Sequence, residues 1–342
     1  MMRSWSSLAG LPLLIASAVA AACPICLGTA ARSPAQDLID QPRAVLAAPE
    51  GKHYRVVEVV KGAKPDIVLE EVLVRNPAAA GKPLLLVRDD TWPMWISLGA
   101  ADARHAATLR ELAVKQPAEA DEAAWQGRVD LALPHLESRE PLLAEIAYAE
   151  CASAPYAALR AAKPRLDVKM LRRSLYDPQL AARRPLYLLL LGIAGNASDA
   201  GAIEAQLDTA WRAHDTTNVG SLLAADLELR GPSRVAWLED RYLRDTSRTT
   251  TEVQAALLAL SVQGNTRGGA IPRERVIEAY LLFMRERKDL AGLVAHDLAA
   301  WQYWEATPEF AALLKSGVRQ QFVSRLAIVA YLRQSPLSVK TD

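Results

Sequence analysis

Near residue 102 the spacing of apolar side chains changes from about every second residue to the 3.6-residue period of a helix, and one type of element cannot satisfy both. Upstream, "RAVLAA", "HYRVVEVV", "DIVLEEVLV", "PLLLVRD" and "MWISLG" are separated by Pro, Gly, Lys and Asn. That pattern predicts about five strands between residues 43 and 99, enough for a small antiparallel barrel or sandwich. In "HYRVVEVVKG" the alternation buries Tyr54, Val56 and Val59 and turns His53, Arg55 and Glu58 to water, as in a half-buried antiparallel strand.

Downstream, segments such as "EPLLAEIAYAECAS", "RRPLYLLLLGIAG", "SDAGAIEAQLDTAW" and "TEVQAALLALSVQG" predict helices of two to four turns, separated by Gly195, Gly231-Pro232, Gly264 and Gly268-Gly269. A helix-turn-helix rhythm recurs about every forty residues with little identity between units, which resembles HEAT-like repeats. The clearest unit is "RRPLYLLLLGIAGNASDAGAIEAQLD", whose second helix starts near Ser198-Asp199. Ala and Leu dominate this half, so its helices can approach closely through small residues. The expected fold class is therefore α+β in two domains: a small N-terminal β barrel or sandwich over 23–101, then an all-α HEAT-like solenoid or irregular helical bundle over 102–342.

The first 22 residues fit neither region. Arg3 supplies a positive start, Leu8 to Val19 an apolar run, and Ala20-Ala21-Ala22 a small-residue cleavage site, so residues 1–22 read as an export signal. No later segment reads as membrane-spanning. The formal net charge of +1 gives no global bias toward nucleic acid or an acidic membrane.

Cleavage after Ala22 leaves Cys23 at the new N-terminus of "CPIC". Three fates compete for its sulfur: lipid attachment, which would tether the chain to a membrane; a disulfide to Cys26, favoured by an oxidising compartment; and a metal or thiol site formed by Cys23 and Cys26. Leu27 stands where c-type haem attachment needs His. Cys151, inside a helical stretch, reads as a small buried hydrophobe.

Other candidates are weaker. "NPAAAGKP" has Asn76 and Pro83 where a phosphate-binding loop needs Gly and Ser or Thr, so it reads as a turn between strands. Trp95 alternates with Met94 and Ile96 as a core residue, while Trp92 could form an exposed aromatic platform. Trp301 and Trp304 fall on one helix face and read as core, and His296 as a packed or capping residue. Arg172, Arg173, Arg183 and Arg184 could gather on a loop face that binds an anionic partner, against the alternative of a solvated helix surface.

The terminal cysteine, the helix-like "PAQDLIDQ", the strand and turn "VVEVVKG" and the later "GKPLLLV" resemble the netrin and metalloproteinase-inhibitor modules, which are OB-type barrels. The likeness covers about eighty residues, with Cys-x-x-Cys here in place of the family's Cys-x-Cys. It implies a terminal cysteine that chelates a protease zinc. Most of the mature chain also resembles uncharacterised exported bacterial proteins with a CPxC start and a helical region carrying LLG-like segments and segments like "DLAAWQYW", a likeness that implies no activity.

No nucleophile elbow, zinc-histidine pair or dinucleotide-binding glycine motif is present, and no cofactor is expected. The reading is an exported, non-enzymatic binding or scaffold protein whose helical array presents a surface to a protein partner, with no nucleic acid. The alternatives are a thiol or metal protein, handling copper or exchanging disulfides through Cys23 and Cys26, and a metalloprotease inhibitor.

Overall fold

A computed structural model describes residues 33–74, 81–92, 94–118 and 120–337. The expected export signal, Cys23, Cys26 and most of "NPAAAGKP" lie outside the described residues. The two-region layout is present: a nearly closed, barrel-like sheet followed by a solenoid-like helical body.

Helix α1 (Pro34–Asp40) starts at Ser33, whose hydroxyl accepts from the Gln36 amide at 3.2 Å. Strands β1 (Arg43–Glu50), β2 (His53–Lys61), β3 (Val68–Leu69), β4 (Val72–Leu73), β5 (Leu84–Arg88) and β6 (Trp95–Ala100) form one sheet in the order β3-β2-β1-β5-β6-β4. Among the described residues only β4 and β6 pair in parallel.

The stretch expected as one strand, "DIVLEEVLV", is instead split between the two edges of the sheet. Its first half pairs with β2, where the Val56 amide donates to the Ile67 carbonyl at 2.8 Å. Its second half pairs with β6, where the Trp95 amide donates to the Glu71 carbonyl at 2.9 Å. Glu70 and Glu71 explain the split, because in a continuous strand adjacent carboxylates point to opposite faces and one would enter the apolar interior. Breaking the strand at this pair leaves both exposed and draws the sheet closed.

Both faces of the central strands are covered. Val45, Ala47, Leu84, Leu86 and Trp95 fill the inside of the curl. Ala44, Leu46, Leu85 and Val87 face helices. That is why β1 and β5 read as continuous apolar runs. In β2 the register with β1 slips at two bulges, beside Val57 and Val60, and Val60 joins the helix-facing core while Tyr54 and Val56 stay on the inner side.

The helix-facing core is completed by α1, by α2 (Ala106–Leu112) and by the first half of α4 (Pro141–Ser153), through Leu38, Leu109, Leu142 and Ile146. The second half of α4, with Ala147, Cys151 and Ala152, belongs to the helical core, so this one helix joins the two regions. Between α2 and α4 lies α3 (Glu122–Ala132). Its Arg128 donates to the carbonyls of Leu112 (3.1 Å) and Val114 (3.0 Å) and to Glu150 of α4 (2.9 Å), tying three helices together.

The array continues through α5 (Tyr156–Ala161), α6 (Val168–Leu175), α7 (Arg184–Ala194), α8 (Ala197–Ala213), α9 (Val219–Arg230), α10 (Arg234–Leu238), α11 (Thr250–Asn265), α12 (Arg273–Glu286), α13 (Ala295–Ala300), α14 (Thr307–Lys315) and α15 (Phe322–Gln334). Helix α9 packs between α7 and α11, with α8 laid against α9 and α12 against α11. The stacked helices begin at Arg184, Val219 and Thr250, so the units are shorter than the forty-residue rhythm expected. Gly192 permits the close approach of α7 and α9, because a Cβ there would lie 2.6 Å from the Ala225 Cα. Capping boxes at Asn196/Asp199 and Thr249/Glu252 start α8 and α11, as the "NASD" break suggested for the former.

The outer helices are linked by a ladder of cations and indoles. Arg234 lies 3.6 Å from the Trp237 ring, Arg241 lies 4.7 Å from Trp237 and 5.1 Å from Trp211, and Arg248 lies 4.5 Å from Trp211. Carboxylates hold these guanidinium groups from behind: Asp226 and Glu204 hold Arg234, Asp208 holds Arg241, and Asp245 and Glu252 hold Arg248.

Candidate functional site

The expected arginines do not converge on one cavity. Arg172 makes a two-pronged contact with Asp199 (2.7 and 2.8 Å), and the same carboxylate accepts from the Asn196 amide at 2.8 Å to cap α8. The Arg172 guanidinium, through its hydrogen bond above all, holds Asp199 below the usual carboxylate range. Arg173 pairs with Glu137, Arg183 sits 5.5 Å from the Tyr148 ring, and Arg184 donates to the Leu175 carbonyl at 3.1 Å. Arg184 borders a cleft of about 570 Å³ that it shares with the exposed Tyr176.

Trp92 is 60% exposed in the β5–β6 loop, while Trp95 is buried inside the curl. Cys151 is fully buried, and burial pushes its thiol pKa up, which suppresses the thiolate. His296, expected as packed or capping, is exposed on α13. Trp301 and Trp304 are packed as expected but do not share a helix face. Helix α13 ends at Ala300, and Gln302 takes a left-handed φ of 57° between them. Trp301 stacks on Tyr280 at 5.6 Å, whereas Trp304 packs on Tyr331 at 5.2 Å.

The side chains that do converge come from four elements. A cleft of about 370 Å³ is bordered by Glu122 of α3, Arg160 of α5, Lys163 just after it, Glu228 of α9 and Arg267 in the loop after α11. Glu228 organises it. One of its carboxylate oxygens accepts from Arg160 Nε at 2.8 Å, and the other accepts from Gln263 Nε2 at 3.1 Å and the Tyr156 hydroxyl at 3.3 Å. Arg160 also donates through Nη1 to the Gly268 carbonyl at 2.6 Å, which pins the loop carrying Arg267 against α5. Gly268 provides the turn with a left-handed φ of 67° that a side chain would strain.

The charges are unbalanced. Glu228 neutralises Arg160, but Lys163 and Arg267 have no carboxylate partner among the described residues. Glu122 is the remaining acid on the border, leaving a cation surplus in a recess with fixed walls. Such a recess suits a carboxylate or other oxyanion, with the pre-oriented Arg160 as a directional donor beside two exposed cations. Among the described residues no group of three His, Cys, Asp or Glu side chains is placed to hold a metal ion.

Sequence reasoning missed this cleft because Arg160 and Gly268 lie 108 residues apart. Taken singly, Arg160, Lys163 and Arg267 look like ordinary solvated cations. The available signal was Arg267 in "NTRGG", a tight loop that exposes an arginine without a nearby acid.

Among the described residues no helix is long and apolar enough to cross a membrane. Comparison with known protein families, curated proteins and solved structures finds no match to this chain.

Proposed function

We propose that this chain is an exported, non-enzymatic binding protein whose helical array recognises an acidic segment of a protein partner in the cleft between α5, α9 and the loop after α11. The supporting observation is the meeting of Arg160, Lys163 and Arg267 in one recess, with Arg160 held in a fixed direction by Glu228 and the Gly268 carbonyl. Export rests on the leader pattern of residues 1–22. The partner's carboxylates would meet Lys163 and Arg267 first and Arg160 at the floor.

Fluorescence anisotropy with labelled hexaglutamate and hexalysine peptides tests this reading. Hexaglutamate should bind in a salt-sensitive manner and hexalysine should not. The double variant Lys163→Ala with Arg267→Ala should weaken hexaglutamate binding about tenfold or more while leaving the melting temperature in place. Equal binding of the two peptides, or a variant that binds as well as the parent chain, would refute it.

A further inference from the structure

Helix α15 closes the described chain with an unusual outer face. Its buried side is fixed: Ser324 Oγ accepts from the Gly292 amide at 2.8 Å, and Tyr331 packs between Phe310 (4.8 Å) and Trp304 (5.2 Å). At Gly292 a Cβ would fall 1.9 Å from the Ser324 carbonyl oxygen, so the helix is seated too closely to roll. The opposite side therefore stays outward. Phe322, Leu326 and Ala330 follow one another at i, i+4 and i+8, with Val323 beside them. Phe322 is 76% exposed, Val323 68%, Leu326 53% and Leu337, just past the helix, 53%.

The charges that this segment itself carries are all of one sign, and Asp289, whose carbonyl accepts from the Gln321 amide at 3.2 Å, is the acid beside its start. From Lys315 to Lys340 the sequence contains no Asp or Glu, while Arg319, Arg325 and Arg333 flank or end the stripe. None of Lys315, Arg319, Arg325 and Arg333 has a carboxylate partner among the described residues, in contrast to Arg128, Arg234 and Arg248 deeper in the array. A second copy docked stripe to stripe would bring cations against cations. A protein interface fixes its register with charges of both signs. An apolar stripe on a segment whose own charges are all cationic matches a surface that is anionic outside and apolar beneath.

We infer that α15 docks the chain peripherally on an anionic phospholipid surface, with Phe322, Val323 and Leu326 entering the interface and Arg319, Arg325 and Arg333 meeting lipid phosphates. This site is separate from the acidic-peptide cleft and does not depend on it. It is also independent of any lipid carried by Cys23.

Sedimentation of the full chain with vesicles tests the inference, using phosphatidylcholine containing one quarter phosphatidylglycerol against pure phosphatidylcholine. Binding should favour the anionic vesicles about tenfold or more and fall with added salt. Arg325→Glu with Arg333→Glu should abolish that preference, and Phe322→Ser with Leu326→Ser should weaken binding about tenfold. All four positions are exposed, so both double variants should melt at the parent temperature. Equal binding to the two vesicle types, or binding that neither variant changes, would overturn the inference. So would a failure to bind anionic vesicles together with a dimer, or a complex with an acidic protein, that the Phe322/Leu326 variant abolishes.

Discussion

The sheet and the helical array keep their charges in different places. In the sheet the cores on both faces are apolar, and ion pairs such as Arg43–Asp90, Arg55–Glu50 and Arg110–Glu58 sit at the solvent rim. In the array, carboxylates are drawn between helices: Glu150 is 1% exposed and paired with Arg128, Asp226 with Arg230 and Arg234, and Glu252 with Arg248. A sheet has its register set by backbone hydrogen bonds and the inward–outward alternation. Helices rich in Ala and Leu can slide or rotate with little change in apolar contact, and the buried polar pairs select one arrangement. The cleft follows from this, because the pair that fixes α5 against α9 also aims Arg160.

Breaking a buried pair should give the largest effect. Arg128→Met strands Glu150 without its cation and removes donors from the carbonyls of Glu111, Leu112 and Val114, and urea denaturation should show a loss of about 3–5 kcal/mol. Burial already pushes the Glu150 pKa up, against the opposing pull of Arg128. Adding Glu150→Leu should recover most of the loss, since the stranded charge is then gone. At the rim of the sheet, Arg55→Met should leave the denaturation midpoint unchanged.

A smaller effect tests the close packing of the array. Gly192→Ala sets a methyl group against the Ala225 backbone, so α7 and α9 must separate at a cost of about 1–3 kcal/mol in the same assay.

The smallest effect lies at the junction of the two regions. His135 stands edge-on to His105 at 5.6 Å, and Glu140 links this corner to the end of the sheet by accepting from the Asp102 amide at 3.1 Å. Burial, and next the neighbouring His105, lower the His135 pKa below its ordinary 6.5, with Glu140 opposing. Well above pH 6.5 the ring is neutral in both folded and unfolded chains, and its contribution to stability is intact. As the pH falls through that value the unfolded chain takes up the proton first and stability declines, levelling off below the folded pKa. The melting temperature should therefore drop modestly between pH 7.5 and 5.5, and His135→Asn should reduce the slope.

The parts of this fold that were legible in the sequence are those set by local pattern. The change of period at residue 102, the start of α8 near Ser198-Asp199 and the burial of Trp95 and Cys151 all follow from spacing or from a residue's immediate neighbours. Features that depend on distant partners were not legible. "DIVLEEVLV" has the composition of one strand, and only closure of the sheet shows why it divides at Glu70-Glu71. Trp301 and Trp304 have helical spacing, but the left-handed Gln302 sends them to different neighbours. The arginines were visible as residues, while their carboxylates, tens of positions away, were not visible as partners.

The proposal that the array's recess takes an acidic segment is tested most directly by cross-linking. Hexaglutamate carrying a photoreactive group is bound to the full chain, irradiated, and the adducts are mapped by mass spectrometry. The account predicts adducts on residues 157–163 and 265–269, suppressed by Lys163→Ala with Arg267→Ala. Adducts concentrated on α15, around Trp92 or at Arg184, or a pattern unchanged by that variant, would contradict it.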